Sequence, residues 1–399
     1  MTEFNPSTLL SFSAAGYYAG VWALSLPFVF LAGLLFYSLT VAKKWKEYDG
    51  MSVAGFFKAR YGSDFATIIA VMLYLAMAGF SATYIKSLTL IFSPILPSLN
   101  HWQLGLIIVA AILLLSLRGG LISIIKLDQI SFIFILVFIP YLYFKSQQLA
   151  SITSISIIEG QQFLAPKFVL SLVLLTMFSY ILAPWYGQKI ISANSPKTAA
   201  VAVAIAAIII SLLYSCGVLA VYSLKKHGVL LVNPDTGFPY LLDHILPIRL
   251  KGVSYVLLFA IGATTIAGVW SAMVTLLIGD KYVRTTNSLT KNYTRVLFTA
   301  AFCYLIANTL IDNILNKMIL ANIPIVAASF ALLAGFYWPK ATKLAAYVSF
   351  IIGILWGLSC YLHFGDKGNY TWYWAAIGIP LIFVSGVVTT LIGTKAQEN

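Results

Sequence analysis

The sequence predicts an all-α polytopic membrane protein. Three observations carry that reading: 60% of the 399 residues are hydrophobic and 9% are charged, the mean hydropathy is +0.92, and apolar runs of spanning length recur with only short polar breaks. That composition fits no soluble globular class. Roughly 20 apolar residues cross a bilayer as a helix. The runs are too long and too uniformly apolar for barrel strands, which alternate.

Eleven spans are expected, near 17–41, 66–94, 102–117, 120–145, 167–192, 198–222, 252–279, 292–314, 316–337, 343–363 and 371–394. The first must direct insertion, because Met1 to Ala15 lacks the basic region and cleavage site of a removable signal peptide. Arg118-Gly119-Gly120 alone separates the third and fourth, where a charge beside two glycines makes a better turn than a helix interior. Pro27, Pro140, Pro184 and Pro324 fall inside runs, where a missing N–H loosens the helical ladder. Pro184, directly before Trp185-Tyr186-Gly187-Gln188, marks a candidate break that could expose carbonyls to a solute. Aromatic groups such as Phe336-Tyr337-Trp338 and Trp372-Tyr373-Trp374 lie at expected span ends and read as interfacial belts.

The net charge of +13 comes from Lys and Arg dispersed in short loops, with no basic tract, so topology charge explains it and nucleic acid is not expected as a partner. With the N-terminus outside and the C-terminus cytoplasmic, fifteen Lys and Arg face the cytoplasm and eight face outward, while Lys86 and Lys126 fall within helices. The longest loops, about 42–65 and 223–251, are too short for a soluble domain. Residues 1–399 thus read as one transmembrane domain, in a multi-pass protein suited to a bacterial inner membrane. Cys216, Cys303 and Cys360 lie inside apolar runs, without the spacing of a disulfide framework or a transition-metal site. The four His residues are scattered and no HExxH, GxSxG or Walker A pattern occurs, so no enzyme is expected.

Charges inside a bilayer are costly, which singles out Lys86, Lys126, Asp128 and Asp312. Lys86 and Asp312 lie near span ends, within reach of water. Asp128 stands about eight residues beyond the Gly119-Gly120 turn and needs a partner, a proton or a water path. Lys126, two positions away, points to another face. Thr264-Thr265, with small neighbours up to Gly268, offers oxygen ligands for a hard monovalent cation; the plainer reading is a Thr bonding the carbonyl one turn back.

Several segments together resemble the sodium/solute symporter family of proline, pantothenate and sugar symporters. Ser52 to Gly62, ending Arg60-Tyr61-Gly62, looks like the family's cytoplasmic "RyG" loop. Gly119-Gly120 followed by Asp128, Trp185-Tyr186-Gly187-Gln188, Phe238-Pro239 with Leu246-Pro247, and Ala263-Thr264-Thr265 running on to Asp280-Lys281-Tyr282 resemble four further family segments in the same order. The likeness spans 17–337, and the two last helices, 343–394, fit by hydropathy. It implies the inverted-repeat, five-plus-five, LeuT-like fold. It also implies hydroxyls from Thr264 and Thr265 on a sodium ion, Asp128 on the ion's exit route, and Phe80 and Trp185 along the solute path. Gly16–Thr40 matches the family's third helix, so the family's first broken helix is expected to be missing. Lys126-Leu127 stands where the family has Trp-Thr, which makes Lys126 a possible cation surrogate, and Ala267 replaces a small polar residue.

The expected function is sodium-coupled symport of a small organic solute of amino acid or carboxylate type, with no cofactor beyond the coupling ion. The alternative is a non-transporting module of the same fold: a relic, a solute sensor or a partner-dependent subunit.

Overall fold

The computed structural model describes residues 3–48, 52–149, 164–182, 190–191, 193–285, 289–365 and 370–398; side chains are not described at 117–125, 278–285, 289–292 and 394–398. Among these residues every regular element is helical. Among the described residues each of the eleven expected spans is largely helical, two of them within one helix, His101–Ser146. Eight helical stretches are long and apolar enough to cross a bilayer, and His101–Ser116 and Pro166–Tyr180 are shorter apolar helices. The protein is an integral multi-pass membrane protein.

The first span departs from expectation. Instead of one helix over 17–41, α1 (Pro6–Ala19) is followed by a 3₁₀ turn (Gly20–Leu24) and then α2 (Ser25–Thr40). Asn5 caps α1 and Pro6 occupies its first turn, where a missing N–H costs nothing. Gly20 ends it at φ 63°, a conformation that side chains with a Cβ resist. A short helix thus precedes the segment matched to the family's third helix. Hydropathy did not register it, because five of its fourteen residues are Ser, Thr or Gly.

Two short helices follow, α3 (Ala42–Glu47) and α4 (Val53–Tyr61), and then the long α5 (Ser63–Phe92). Helical hydrogen bonding runs on through α6 (His101–Ser146). As a straight rod α6 would measure about 69 Å at ~1.5 Å per residue, far beyond a ~30 Å hydrocarbon core. The Trp102 carbonyl accepts from the Tyr304 hydroxyl (2.9 Å), and the Ser146 carbonyl accepts from Ser223 Oγ (3.1 Å) near the end of α8 (Pro196–Lys226). The sequence expects a turn at Arg118–Gly120 between two spans; the structure instead carries helix through these residues, whose side chains are not described.

The remaining elements are α7 (Pro166–Tyr180), α9 (Gly237–His244), α10 (Ile248–Thr285), α11 (Leu289–Thr309), a stepped run α12 (Ile314–Ala321), α13 (Ile323–Ala327) and α14 (Ser329–Tyr337), then α15 (Lys343–Phe364), α16 (Tyr370–Tyr373) and α17 (Ile379–Glu398). Helix α1 packs on α8, α2 on α7 and α8, and α10 on α5 and α6. The α1–α8 crossing depends on small residues: a Cβ at Gly16 would collide with the Val218 carbonyl, and one at Gly217 would sit 2.9 Å from Leu9 and Ser13. In lipid, where apolar surface gains little by leaving the solvent, such close backbone approach is what holds helices together.

The end of the bundle carrying α3 and α4 is closed by rings. Trp45, 1% exposed, donates Nε1–H to the Ile181 carbonyl (2.9 Å) and meets Phe56 and Phe336 edge-on, with centroids 5.5 and 5.1 Å away. Arg60 donates to the carbonyls of Trp338 (3.0 Å), Pro339 (2.7 Å) and Ala341 (3.2 Å), which follow α14, and Tyr61 donates to the Ala331 carbonyl (2.7 Å). A guanidinium satisfies several orphan carbonyls at a helix end at once.

Candidate functional site

The start of α1 lies inside the protein. Tyr17, near its other end, donates to the Val229 carbonyl (2.9 Å) and accepts from Leu231 N–H (3.0 Å), just past the end of α8. Fourteen residues at ~1.5 Å each cover about 21 Å, so Asn5 sits deep within the bundle. Backbone groups that begin a helix there have no water to bond, and the chain supplies partners. Asn5 Oδ1 accepts from Thr8 N–H (2.9 Å), and the Tyr214 hydroxyl accepts from Asn5 N–H (3.1 Å) while donating to the Glu3 carbonyl (2.6 Å). Phe4 stacks on the Tyr214 ring at 5.0 Å, and Phe12 and Phe30 meet it edge-on at 5.4 and 5.3 Å.

A cavity of about 80 Å³ opens beside this helix start. Its wall takes Glu3, Asn5, Thr8 and Phe12 from the α1 segment, Val29 and Phe30 from α2, and Phe80 and Tyr84 from α5. Helix α7 adds Thr176, Ser179 and Tyr180, and the stepped α12–α13 run adds Met318 and Asn322. Five helical segments thus converge on one space that is mostly apolar with a few polar groups, the composition of a small-molecule site. Thr8 and Phe12 face it because they are one turn apart on α1. Ser7 turns away, to a 2.7 Å hydrogen bond with Ser87 on α5. Outside the spans, burial holds the Asp235 carboxyl above its ordinary range.

The structure brings only some of the predicted residues together. Phe80, 5% exposed, stands in the cavity wall. Trp185 lies outside the described residues. Thr264 and Thr265, 3% and 2% exposed, are buried on α10 and do not line the cavity. Thr264 donates to the Ile261 carbonyl (3.1 Å), the plain back-bonding role. The Thr265 hydroxyl is buried and makes no hydrogen bond among the described residues, and a Cβ on Gly268, nearly one turn further along, would meet nothing within 4 Å. Asp128 is buried, 6% exposed, on the later part of α6, a helix that packs against α10. Lys126 is exposed, so its ammonium is not in the buried interior. Lys86 is half-buried, and Asp312 pairs with Lys317 at 3.4 Å.

The sequence reading missed Glu3, Asn5, Thr8, Thr176, Tyr180 and Asn322. One signal was available: Asn5-Pro6 is a cap followed by a first-turn proline, which marks a helix start well ahead of residue 17.

No known family profile matches the sequence, and no curated protein matches it. Solved structures do share its fold. A Na+-coupled sialic acid symporter in a substrate-bound outward-open state superposes with a TM-score of 0.71 at 15% identity, covering 98% of this chain and 89% of that one. Inward-facing Mhp1 gives a TM-score of 0.59 at 12% identity, covering 98% and 88%. A manganese transporter from Eremococcus coleocola gives 0.54 at 16% identity, covering 98% and 92%. The chain has the LeuT-like transporter fold.

Proposed function

We propose that this chain is a secondary active transporter of the sodium/solute symporter type, which carries a small organic solute of amino acid or carboxylate class together with sodium. The observation that carries the reading is the cavity at the interior start of α1, walled by α2, α5, α7 and α12, in a fold shared with a Na+-coupled symporter. Broken or half-length helices that end at midplane are where transporters of this architecture bind solute, because only there is backbone available to it.

The Thr265 hydroxyl, with Thr264 beside it, supplies oxygens to the sodium ion, and Asp128 lies on the ion's route out. Phe80 belongs to the solute wall, and Trp185, by analogy with the family resembled, to the same path. Lys126, being exposed, is left out of the site. The end closed by α3 and α4 faces the cytoplasm, in accord with Lys43, Lys44, Lys46, Lys58 and Arg60 clustering there. Sodium bound on α10 favours the state in which the cavity opens outward. It shifts that equilibrium only by its difference in affinity for the two states. Rocking of the bundle then releases ion and solute inward.

Reconstitution into proteoliposomes tests this. An inward sodium gradient should drive accumulation of a radiolabelled amino acid, and Thr265→Ala should raise the sodium concentration for half-activation with little loss of folded protein. Uptake that ignores sodium would overturn the coupling. Solute binding without any uptake would favour the non-transporting module.

A further inference from the structure

Several polar side chains in the cavity wall are already spent on the protein itself. Asn5 accepts Thr8 N–H on Oδ1 (2.9 Å) and donates from Nδ2 to the Glu3 carbonyl (3.2 Å), while the Thr8 hydroxyl bonds Tyr214. Thr176 donates to the Leu172 carbonyl (2.8 Å), and Ser179 donates to the Thr176 carbonyl (3.4 Å). Tyr84 and Asn322 differ. Tyr84, 4% exposed, stands in the wall one turn along α5 from Phe80, and its hydroxyl makes no hydrogen bond among the described residues. Asn322 donates from Nδ2 to the Met318 carbonyl (2.9 Å). Because a carbonyl only accepts, that contact fixes which end of the amide is nitrogen, and it leaves Oδ1 without a donor among the described residues. The two groups sit on neighbouring helices. A Cβ on Gly79 of α5 would lie 3.1 Å from Ala321 Cβ, so Asn322 follows a residue in near contact with α5, little more than one turn before Tyr84. Together they offer a solute a hydroxyl that can donate and an amide oxygen that can only accept.

We infer that Tyr84 and Asn322 recognise the solute at two points: the Tyr84 hydroxyl donates to its carboxylate, and Asn322 Oδ1 accepts from its amino group. The inference rests on this cavity being the solute site. Within the amino acid or carboxylate class, it selects amino acids over solutes that carry either group alone, and it makes Tyr84 and Asn322 the specificity-determining residues. A solute that lacks one group leaves a desolvated wall group unpaired, which changes affinity by about tenfold or more.

Three probes of one carbon skeleton separate the groups: isoamylamine carries only the amine, 4-methylpentanoate only the carboxylate, and leucine both. Binding to the full-length purified protein is measured by equilibrium dialysis in sodium, and stability by thermal unfolding without solute. Leucine should bind about tenfold or more tightly than either single-group probe. Tyr84→Phe removes a hydroxyl that bonds none of the described residues, so the unfolding midpoint should stay level or rise. Leucine and 4-methylpentanoate should weaken about tenfold in that variant, with isoamylamine spared. Asn322→Leu also gives up the bond to the Met318 carbonyl, so its readout is the ratio between probes. Leucine and isoamylamine should lose about tenfold relative to 4-methylpentanoate. Three results would overturn the inference: no binding by any probe, either variant weakening both single-group probes alike, or Tyr84→Phe lowering the unfolding midpoint while every affinity holds. Failure of the transport reading looks different, since it would leave this crossed pattern of binding intact while abolishing gradient-driven uptake.

Discussion

The cavity and the closed end combine ring packing and hydrogen bonds in different proportions. At the closed end, Trp45, Phe56, Phe57, Tyr61, Phe65 and Phe336 pack ring to ring, and Arg60 fastens the loop helix to the carbonyls beyond α14. Around the cavity rings also meet, Phe4, Phe12 and Phe30 on Tyr214 and Phe30 on Tyr180, but the polar ties are single hydrogen bonds between distant segments, Tyr214 to Asn5 and Glu3. Dense ring packing resists opening until many contacts release together. Isolated polar bonds around a void can be exchanged one at a time for bonds to a solute. Under the proposed function, the closed end is the gate and the cavity the place of recognition.

Substitutions sharpen that contrast. Trp45→Ala should do the most damage, about 3–5 kcal/mol of stability by the usual cost of removing a buried Trp, read as a lowered unfolding midpoint in detergent. Equal stability of the variant would mean the ring cluster does not hold that end. Tyr214→Phe removes one hydroxyl but two bonds: Asn5 N–H loses its acceptor, while the Glu3 carbonyl keeps Asn5 Nδ2. It should cost about 1–3 kcal/mol and weaken solute binding disproportionately, visible as a rise in the apparent binding constant larger than that caused by Trp45→Ala. Arg60→Lys replaces a fork serving three carbonyls by one ammonium and should cost about 1 kcal/mol. Its mark should be faster exchange of α4 amides with deuterium, with solute affinity unchanged. Thr264→Ala removes a local back-bond and should stay within about 0.5 kcal/mol of the parent; sodium activation equally impaired in Thr264→Ala and Thr265→Ala would give both hydroxyls the same role.

The same contrast explains what could be read from sequence. Hydropathy found the spans because a bilayer demands long apolar runs, and Arg60-Tyr61-Gly62 stood out as contiguous residues whose jobs the structure now shows: a carbonyl clamp, a hydroxyl donor and a turn at φ 93°. The cavity left no such trace. Its polar groups, among them Glu3, Thr176, Tyr180 and Asn322, come at most three per segment and meet only after five segments converge. The start of α1 was hidden for another reason. A helix that begins within the bundle is flanked by polar residues, so a hydropathy boundary falls after it, although the Asn5-Pro6 pair announces it. Thr264 and Thr265 look alike in sequence, and only packing distinguishes the hydroxyl that bonds its own helix from the one left over.

The most direct test of the account is the sidedness of the cavity. In a background where Cys216, Cys303 and Cys360 are replaced by Ala or Ser, Thr176→Cys places one thiol in the cavity wall. Its labelling by a membrane-impermeant maleimide is then followed from each face of sealed, oriented vesicles. The account expects labelling from the face opposite α3 and α4, faster with sodium than with potassium, slowed by leucine and close to zero from the α3–α4 face while sodium is present. Equal labelling from both faces, indifferent to sodium and leucine, would contradict it.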